Sequence, residues 1–141
     1  MNGSIRSPHR LSLQMFASAL CLFSGLALAG ELKLSGANEV PAVETAAAGS
    51  GTITIADDGS VSGSVKTTGV AATMAHIHVA AAGKNGPVIV PLTKTADNVW
   101  SVPAGAKLSA EQMKNYKAGE LYVNVHSDAH KGGEIRAQLV P

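Results

Sequence analysis

The sequence contains little cysteine, few aromatic residues and a surplus of only one positive charge. Its single cysteine, Cys21, lies in the N-terminal segment, so a fold stabilised by a disulfide framework is excluded. Aromatic residues make up 4% of the chain, and 11 lysines and arginines stand against 10 aspartates and glutamates. A nucleic-acid-binding surface with a basic stripe and aromatic platforms is therefore not expected. A hydrolase is poorly supported too, because there is no Gly-x-Ser-x-Gly motif for a nucleophile elbow.

The first 29 residues have the layout of a secretory signal peptide. Arg6 and Arg10 form a basic start, a largely apolar stretch follows, and Ala27–Ala29 is typical of a cleavage site before Gly30. An uncleaved membrane anchor is the alternative, but serines, a glutamine and a glycine interrupt the apolar stretch. The sequence thus predicts an exported protein, periplasmic or secreted, whose mature part is one soluble domain of residues 30–141 with no membrane association.

Short strands dominate the predicted mature chain. Threonine and isoleucine alternate over residues 52–55, a turn signal follows at residues 57–59, and residues 88–93 form another strand-like run. One short helix is predicted to begin after Ser109, which forms a capping box with Gln112. Seven or eight short strands and one short helix predict an all-β fold, a Greek-key β-sandwich or barrel.

The alternation assigns side chains to the two faces of the predicted sheet. The inward positions predict a core that contains Ile53, Ile55, Val65, Ile77, Val79, Val123, Val125, Ile135 and Leu139. The outward positions near the histidines are Met74, His76, His78, Tyr122, Asn124, His126, Glu134, Arg136 and Gln138. All the histidines on predicted strands therefore share the outer face.

These histidines are candidate metal ligands. The Cα atoms of His76 and His78 are about 6.8 Å apart along the predicted strand. The two rings can meet at one ion, especially if one uses Nδ1 and the other Nε2. His126 on a neighbouring strand is the third candidate, and His130 in the loop after it is the fourth. Nitrogen donors without thiolate favour copper or zinc over calcium or magnesium. The alternative is that these histidines are simply solvated on an outer sheet face.

The polar residues beside the histidines are candidates for a supporting role. Metal-bound imidazoles usually donate their second N–H to a neighbouring acceptor, which fixes the ring orientation. The outward side chains of Asn124, Glu134 and Gln138 are the expected partners.

Three segments together resemble the chordin-type (CHRD) domain family: "LSGANEVPAVETAAAGSGTITI", "AHIHVAAAGKNGPVIVPL" and "GELYVNVHSDAHKGGEIRAQL". They occur in order over nearly all of residues 30–141. The resemblance implies an all-β, immunoglobulin-like barrel related to the fold of copper,zinc superoxide dismutase.

A weaker resemblance to the dismutase itself implies roles for individual residues. His76, His78 and His126 are similar in position to copper ligands, and Arg136 to an arginine that attracts an anion beside the metal. The chain differs in having no histidine between Val79 and Trp100, so a bridging histidine and a zinc subsite are missing.

Three functions follow as expectations. The first is an exported copper-binding protein, with zinc as a less favoured metal. The second is a copper-only enzyme resembling superoxide dismutase. The third is an interaction module that binds another envelope or extracellular protein without a metal.

Overall fold

Alternating apolar and polar residues produce nine antiparallel strands in the part of the chain that the computed structural model describes, which is Met1 and residues 30–141. The predicted signal peptide, apart from Met1, lies outside the described residues. A 3-10 helix (Gly36–Asn38) follows the first strand, and an α-helix, α1 (Ala110–Lys117), precedes the eighth. The strands are β1 (Leu32–Ser35), β2 (Ala48–Ile55), β3 (Val61–Thr68), β4 (Ala72–Val79), β5 (Val88–Pro91), β6 (Thr93–Ala96), β7 (Val99–Ser101), β8 (Leu121–Ser127) and β9 (Ile135–Leu139).

The strands form one sheet that curls into a nearly closed barrel. Their order is β5-β4-β8-β9-β1-β2-β3-β7-β6. The two edge strands, β5 and β6, follow each other in the chain and are separated only by Leu92, so the run predicted as one strand turns a corner and divides into two. The connections that place β8 beside β4 and β7 beside β3 are of the Greek-key type. The predicted all-β fold with one short helix is confirmed.

The barrel interior is filled by the inward side chains of the alternating strands. Of the nine predicted core residues, eight are buried, and Val79 is half-buried against the same cluster. Trp100 and Leu108 complete the core from β7 and from the segment before the helix. Each fully buried aliphatic side chain contributes about 1.5–3 kcal/mol through loss of apolar surface.

The helix begins where the sequence predicts. Ser109 accepts a hydrogen bond from the backbone N–H of Gln112, and the Gln112 side chain accepts one from the backbone N–H of Ser109. Gly119 has a φ of 74°, the left-handed conformation that commonly ends a helix. Met113 and Tyr116 pack against the core, so α1 lies over one part of the barrel.

The outer face of β4, β8 and β9 is covered by loops. His78, Tyr122, Asn124, His126 and Arg136 all point to this face and are all buried. The covering loops contribute Glu39, the segment Lys84–Gly86 and Lys131, which hydrogen-bond to the strand side chains. The interpretation of His78 and His126 as solvated side chains is therefore wrong, because three loops fold back over this part of the sheet.

Candidate metal centre

Two neighbouring strands bring three histidines together. His76 and His78 lie on β4, and His126 lies on β8, next to it in the sheet. The ring centroids are 5.5 Å apart for His76–His78, 4.9 Å for His76–His126 and 6.0 Å for His78–His126. Each histidine offers one ring nitrogen, and these nitrogens all lie within 4.8 Å of one another. Small movements of the side chains would bring all three to the 2.0–2.1 Å that imidazole nitrogens keep from zinc.

Backbone carbonyls set the orientation of two of the rings. The Nδ1 atoms of His78 and His126 each lie 2.9 Å from a carbonyl oxygen, of Gly86 and Lys131 respectively. A carbonyl can only accept, so each Nδ1 carries the hydrogen and each Nε2 keeps a free lone pair. Metal-ligating histidines are held in this way. The acceptors come from the main chain, whereas the sequence pattern predicted side chains for this role.

Two of the three predicted supporting side chains, Glu134 and Gln138, have other contacts, whereas the third, Asn124, lies close enough to His78 to oppose the lowering of its pKa. Gln138 donates to the carbonyls of Ala80 and Gly119. Glu134 accepts from the hydroxyl groups of Thr45 and Ser127. Among these contacts none reaches a ring nitrogen of the three histidines. Glu134 and Gln138 therefore anchor loops.

The third ring completes the ligand geometry. Nδ1 of His76 lies 3.0 Å from Nε2 of His126. Since Nε2 of His126 has the lone pair, Nδ1 of a neutral His76 donates to it when no metal is bound. Two nitrogens at this separation, each about 2.0–2.1 Å from an ion, would subtend about 90° at the ion. In a metal site of this geometry His78 would offer Nε2 and His76 would offer Nδ1, which is the mixed usage that favours convergence of two rings from one strand.

Nε2 of His78 is buried without a hydrogen-bond partner. A buried polar atom without a partner costs about 1–3 kcal/mol. A metal ion among the three histidines would accept the lone pair of this nitrogen and remove that cost. The unpartnered nitrogen thus fits a metal site.

The surroundings favour neutral imidazoles. Burial lowers the pKa of His76, and the nearby rings of His126 and His78 lower it further by charge repulsion. Burial is also the main cause of the lowered pKa of His78, although the bond to Gly86 opposes the shift. Only a neutral imidazole has a lone pair for a metal, so these shifts keep the ligands available at neutral pH.

A buried ion pair and an aromatic stack support this site. Nε of Arg136 donates to Oε2 of Glu39 at 3.1 Å. The guanidinium carbon lies 3.8 Å from the centre of the Tyr122 ring. The Tyr122 ring also stacks on His78, with ring centroids 4.8 Å apart and an angle of 6° between the ring planes. Sequence reasoning missed Glu39 and gave Tyr122 no role. Their signals in the sequence are weak, because Glu39 lies in a loop 97 positions from Arg136.

Arg136 makes contacts to protein with all three nitrogens of its guanidinium. Besides Glu39, it donates to the carbonyl of Lys84 at 2.9 Å and to the side chain of Asn85. An anion at the metal would have to compete with these acceptors. The anion-binding role of Arg136 stays a prediction, and the geometry gives Arg136 a structural role.

His130 is placed apart from the other three histidines. Its backbone N–H donates to the Ser127 hydroxyl at 3.1 Å, and its carbonyl accepts from Gly133 at 3.1 Å. It therefore closes the turn between β8 and β9, and its ring is outside the three-histidine group. Its part as a fourth ligand stays a prediction.

Comparison with known proteins gives one match. A model of the CHRD domain family matches residues 31–139. No curated protein and no solved structure matches the chain, so these comparisons do not bear out the expected relation to copper,zinc superoxide dismutase. Among the described residues, neither helix has the length and apolar character needed to cross a lipid bilayer.

Proposed function

The chain belongs to the CHRD domain family, and we propose that it is an exported member that binds a transition-metal ion. The ligands are His76, His78 and His126, and copper is the preferred metal over zinc. CHRD domains are typically extracellular, which agrees with the signal-peptide pattern of the first 29 residues. The metal ion is the partner proposed for this site.

The convergence of the three ring nitrogens within 4.8 Å is the observation that carries the proposal. The two carbonyl contacts at 2.9 Å direct Nε2 of His78 and His126 toward the group. The strands hold both rings before any metal arrives, so little ordering is needed on binding.

Copper is proposed because of the donor set. All three donors are imidazole nitrogens, and divalent copper binds such sites more tightly than zinc in the general order of affinities. Zinc most often has four protein ligands in a structural site, and the described group supplies three.

Binding is proposed in place of dismutase turnover. The chain has no histidine between Val79 and Trp100 to supply a bridging imidazole, and Arg136 is held by protein acceptors. A redox enzyme at this site would need a free cationic group or a proton donor beside the metal. Superoxide consumption by the copper-loaded protein that persists in excess EDTA, which suppresses the activity of free copper, and that is lost in H76A/H78A/H126A would favour the enzyme.

A titration with Cu(II) tests the proposal. The wild-type protein should bind one equivalent, and the triple variant H76A/H78A/H126A should lose this binding. His130→Ala removes a histidine outside the group; it should retain one equivalent and lower the affinity less than His126→Ala does. Copper binding that survives in the triple variant would contradict the proposal and favour an interaction module without metal.

A further inference from the structure

Met74 lies beside the three histidines at the open margin of the site. In the register of β4 and β8, it is directly opposite His126, and it precedes His76 by two residues on the same face of β4. Directly opposed residues have Cβ atoms about 4.5–5.5 Å apart. Met74 is therefore a neighbour of two of the three proposed ligands.

Met74 is 48% exposed although it lies within a strand of the barrel. The backbone carbonyls of Gly86 and Lys131 cover the Nδ1 edges of the His78 and His126 rings. His76 is only half-buried, so a metal ion in the group would be approached from the side where His76 and Met74 lie. A fourth ligand from the protein is best placed at this margin.

We propose that the thioether sulfur of Met74 is the fourth ligand and makes the site selective for Cu(I). The proposal rests on the metal-binding function proposed above and specifies its oxidation state. A thioether is a soft donor that selects Cu(I) and contributes little to binding of zinc. Methionine has three rotatable side-chain bonds, so its sulfur can reach an ion held beside His126 without movement of the strand.

Asn124 is the competing candidate for the fourth position. It lies opposite His76 in the register, it is buried, and its Oδ1 has no hydrogen-bond partner. An amide oxygen is a hard donor, so a site completed by Asn124 would not favour Cu(I). The two candidates predict different atoms around the metal.

Met74→Leu tests the proposal because leucine keeps the apolar character of an exposed side chain and removes only the sulfur. Met113→Leu on α1 is the matched control, since Met113 packs against the core away from the three histidines. Cu(I) affinity is measured by competition with a coloured chelator, and Zn(II) affinity by competition with a fluorescent one. We expect M74L to lower Cu(I) affinity by about tenfold or more and to leave Zn(II) affinity within about twofold.

X-ray absorption spectroscopy of the Cu(I)-loaded protein provides the second measurement. Wild type and M113L should show nitrogen neighbours and one sulfur neighbour, and M74L should show nitrogen alone. If the wild-type protein binds copper through nitrogen with no sulfur neighbour, and M74L binds Cu(I) equally well, the Met74 proposal is wrong and the metal site stands. If the wild-type protein binds no copper in either oxidation state, both proposals are wrong.

Discussion

Replacement of Arg136 by methionine should destabilise the protein strongly. Arg136 and Glu39 form an ion pair whose side chains are 3% and 2% exposed. Methionine retains much of the length of arginine but leaves the Glu39 carboxylate buried without its cation. It also removes the donors to Lys84 and Asn85 and the stack on Tyr122.

The magnitude follows from the burial of the pair. Removal of one partner of a buried ion pair costs about 3–5 kcal/mol, a large share of the roughly 5–15 kcal/mol that stabilises a typical domain. With a urea m-value of about 2 kcal/mol/M, the unfolding midpoint should fall by about 2 M. Unfolding is followed by circular dichroism in urea at pH 8.

Lys33→Met provides the matched control. Lys33 and Glu31 are 2.9 Å apart, closer than the buried pair, but their side chains are 72% and 59% exposed. Loss of this exposed pair should change the free energy of unfolding by less than about 1 kcal/mol. The comparison separates the effect of burial from that of distance.

Two further measurements test the reasoning on Arg136. The double variant E39M/R136M should be more stable than R136M, because it contains no uncompensated buried charge. Burial raises the pKa of Glu39, and Arg136 partly opposes this. Without Arg136 the folded-state pKa should rise further above the unfolded value, so R136M should lose less stability at pH 5 than at pH 8. A loss below about 1 kcal/mol for R136M, together with weaker anion binding to the metal-loaded protein, would refute the structural role and favour the anion-binding role.

The remaining predictions concern stability, core packing and processing. Because burial lowers the pKa values of His76 and His78, the unfolded chain takes up protons before the folded one. The metal-free protein should therefore lose stability as the pH falls through about 6.5, and H76Q/H78Q should flatten this dependence in urea titrations. At a free copper concentration of about a hundred times the dissociation constant, the wild type should be more stable by about 2.7 kcal/mol. If copper does not raise the melting temperature at pH 7, this prediction is wrong. Val125→Ala in the core should cost about 1–3 kcal/mol, whereas exposed Thr52→Ala should change stability by less than about 0.5 kcal/mol. Mass spectrometry of the exported protein should find an N-terminus near Gly30, and an intact N-terminus would contradict processing.

The sequence predicted the features of this fold that depend on local alternation. Along β4, a period of two residues assigns Ile77 inward and His76 and His78 outward, and the structure agrees. The alternation along β8 likewise assigned His126 to the outer face, where it groups with His76 and His78. That β8 lies directly beside β4 is a matter of topology, and the alternation within each strand carries no information about it.

The sequence pattern could not predict what covers the outer face. The carbonyls of Gly86 and Lys131 have no side-chain signature, because every residue has a carbonyl group. Glu39 stands in an irregular segment after the 3-10 helix, where no period indicates which way a side chain points. The corner at Leu92 was missed for a similar reason, since the apolar run continues through it while the chain changes its pairing partner.

The loop cover determines how the site is expected to work. It buries His78 and His126, fixes two ring orientations through main-chain acceptors, and leaves Nε2 of His78 without a partner. A core selected only for stability would replace such a nitrogen with an apolar group, because a buried polar atom without a partner is destabilising. Departures from local stability of this kind are expected at functional sites. The protein therefore holds the three histidines at a cost in stability that the proposed metal binding would remove, and in that proposal the ion arrives from the margin at His76 and Met74.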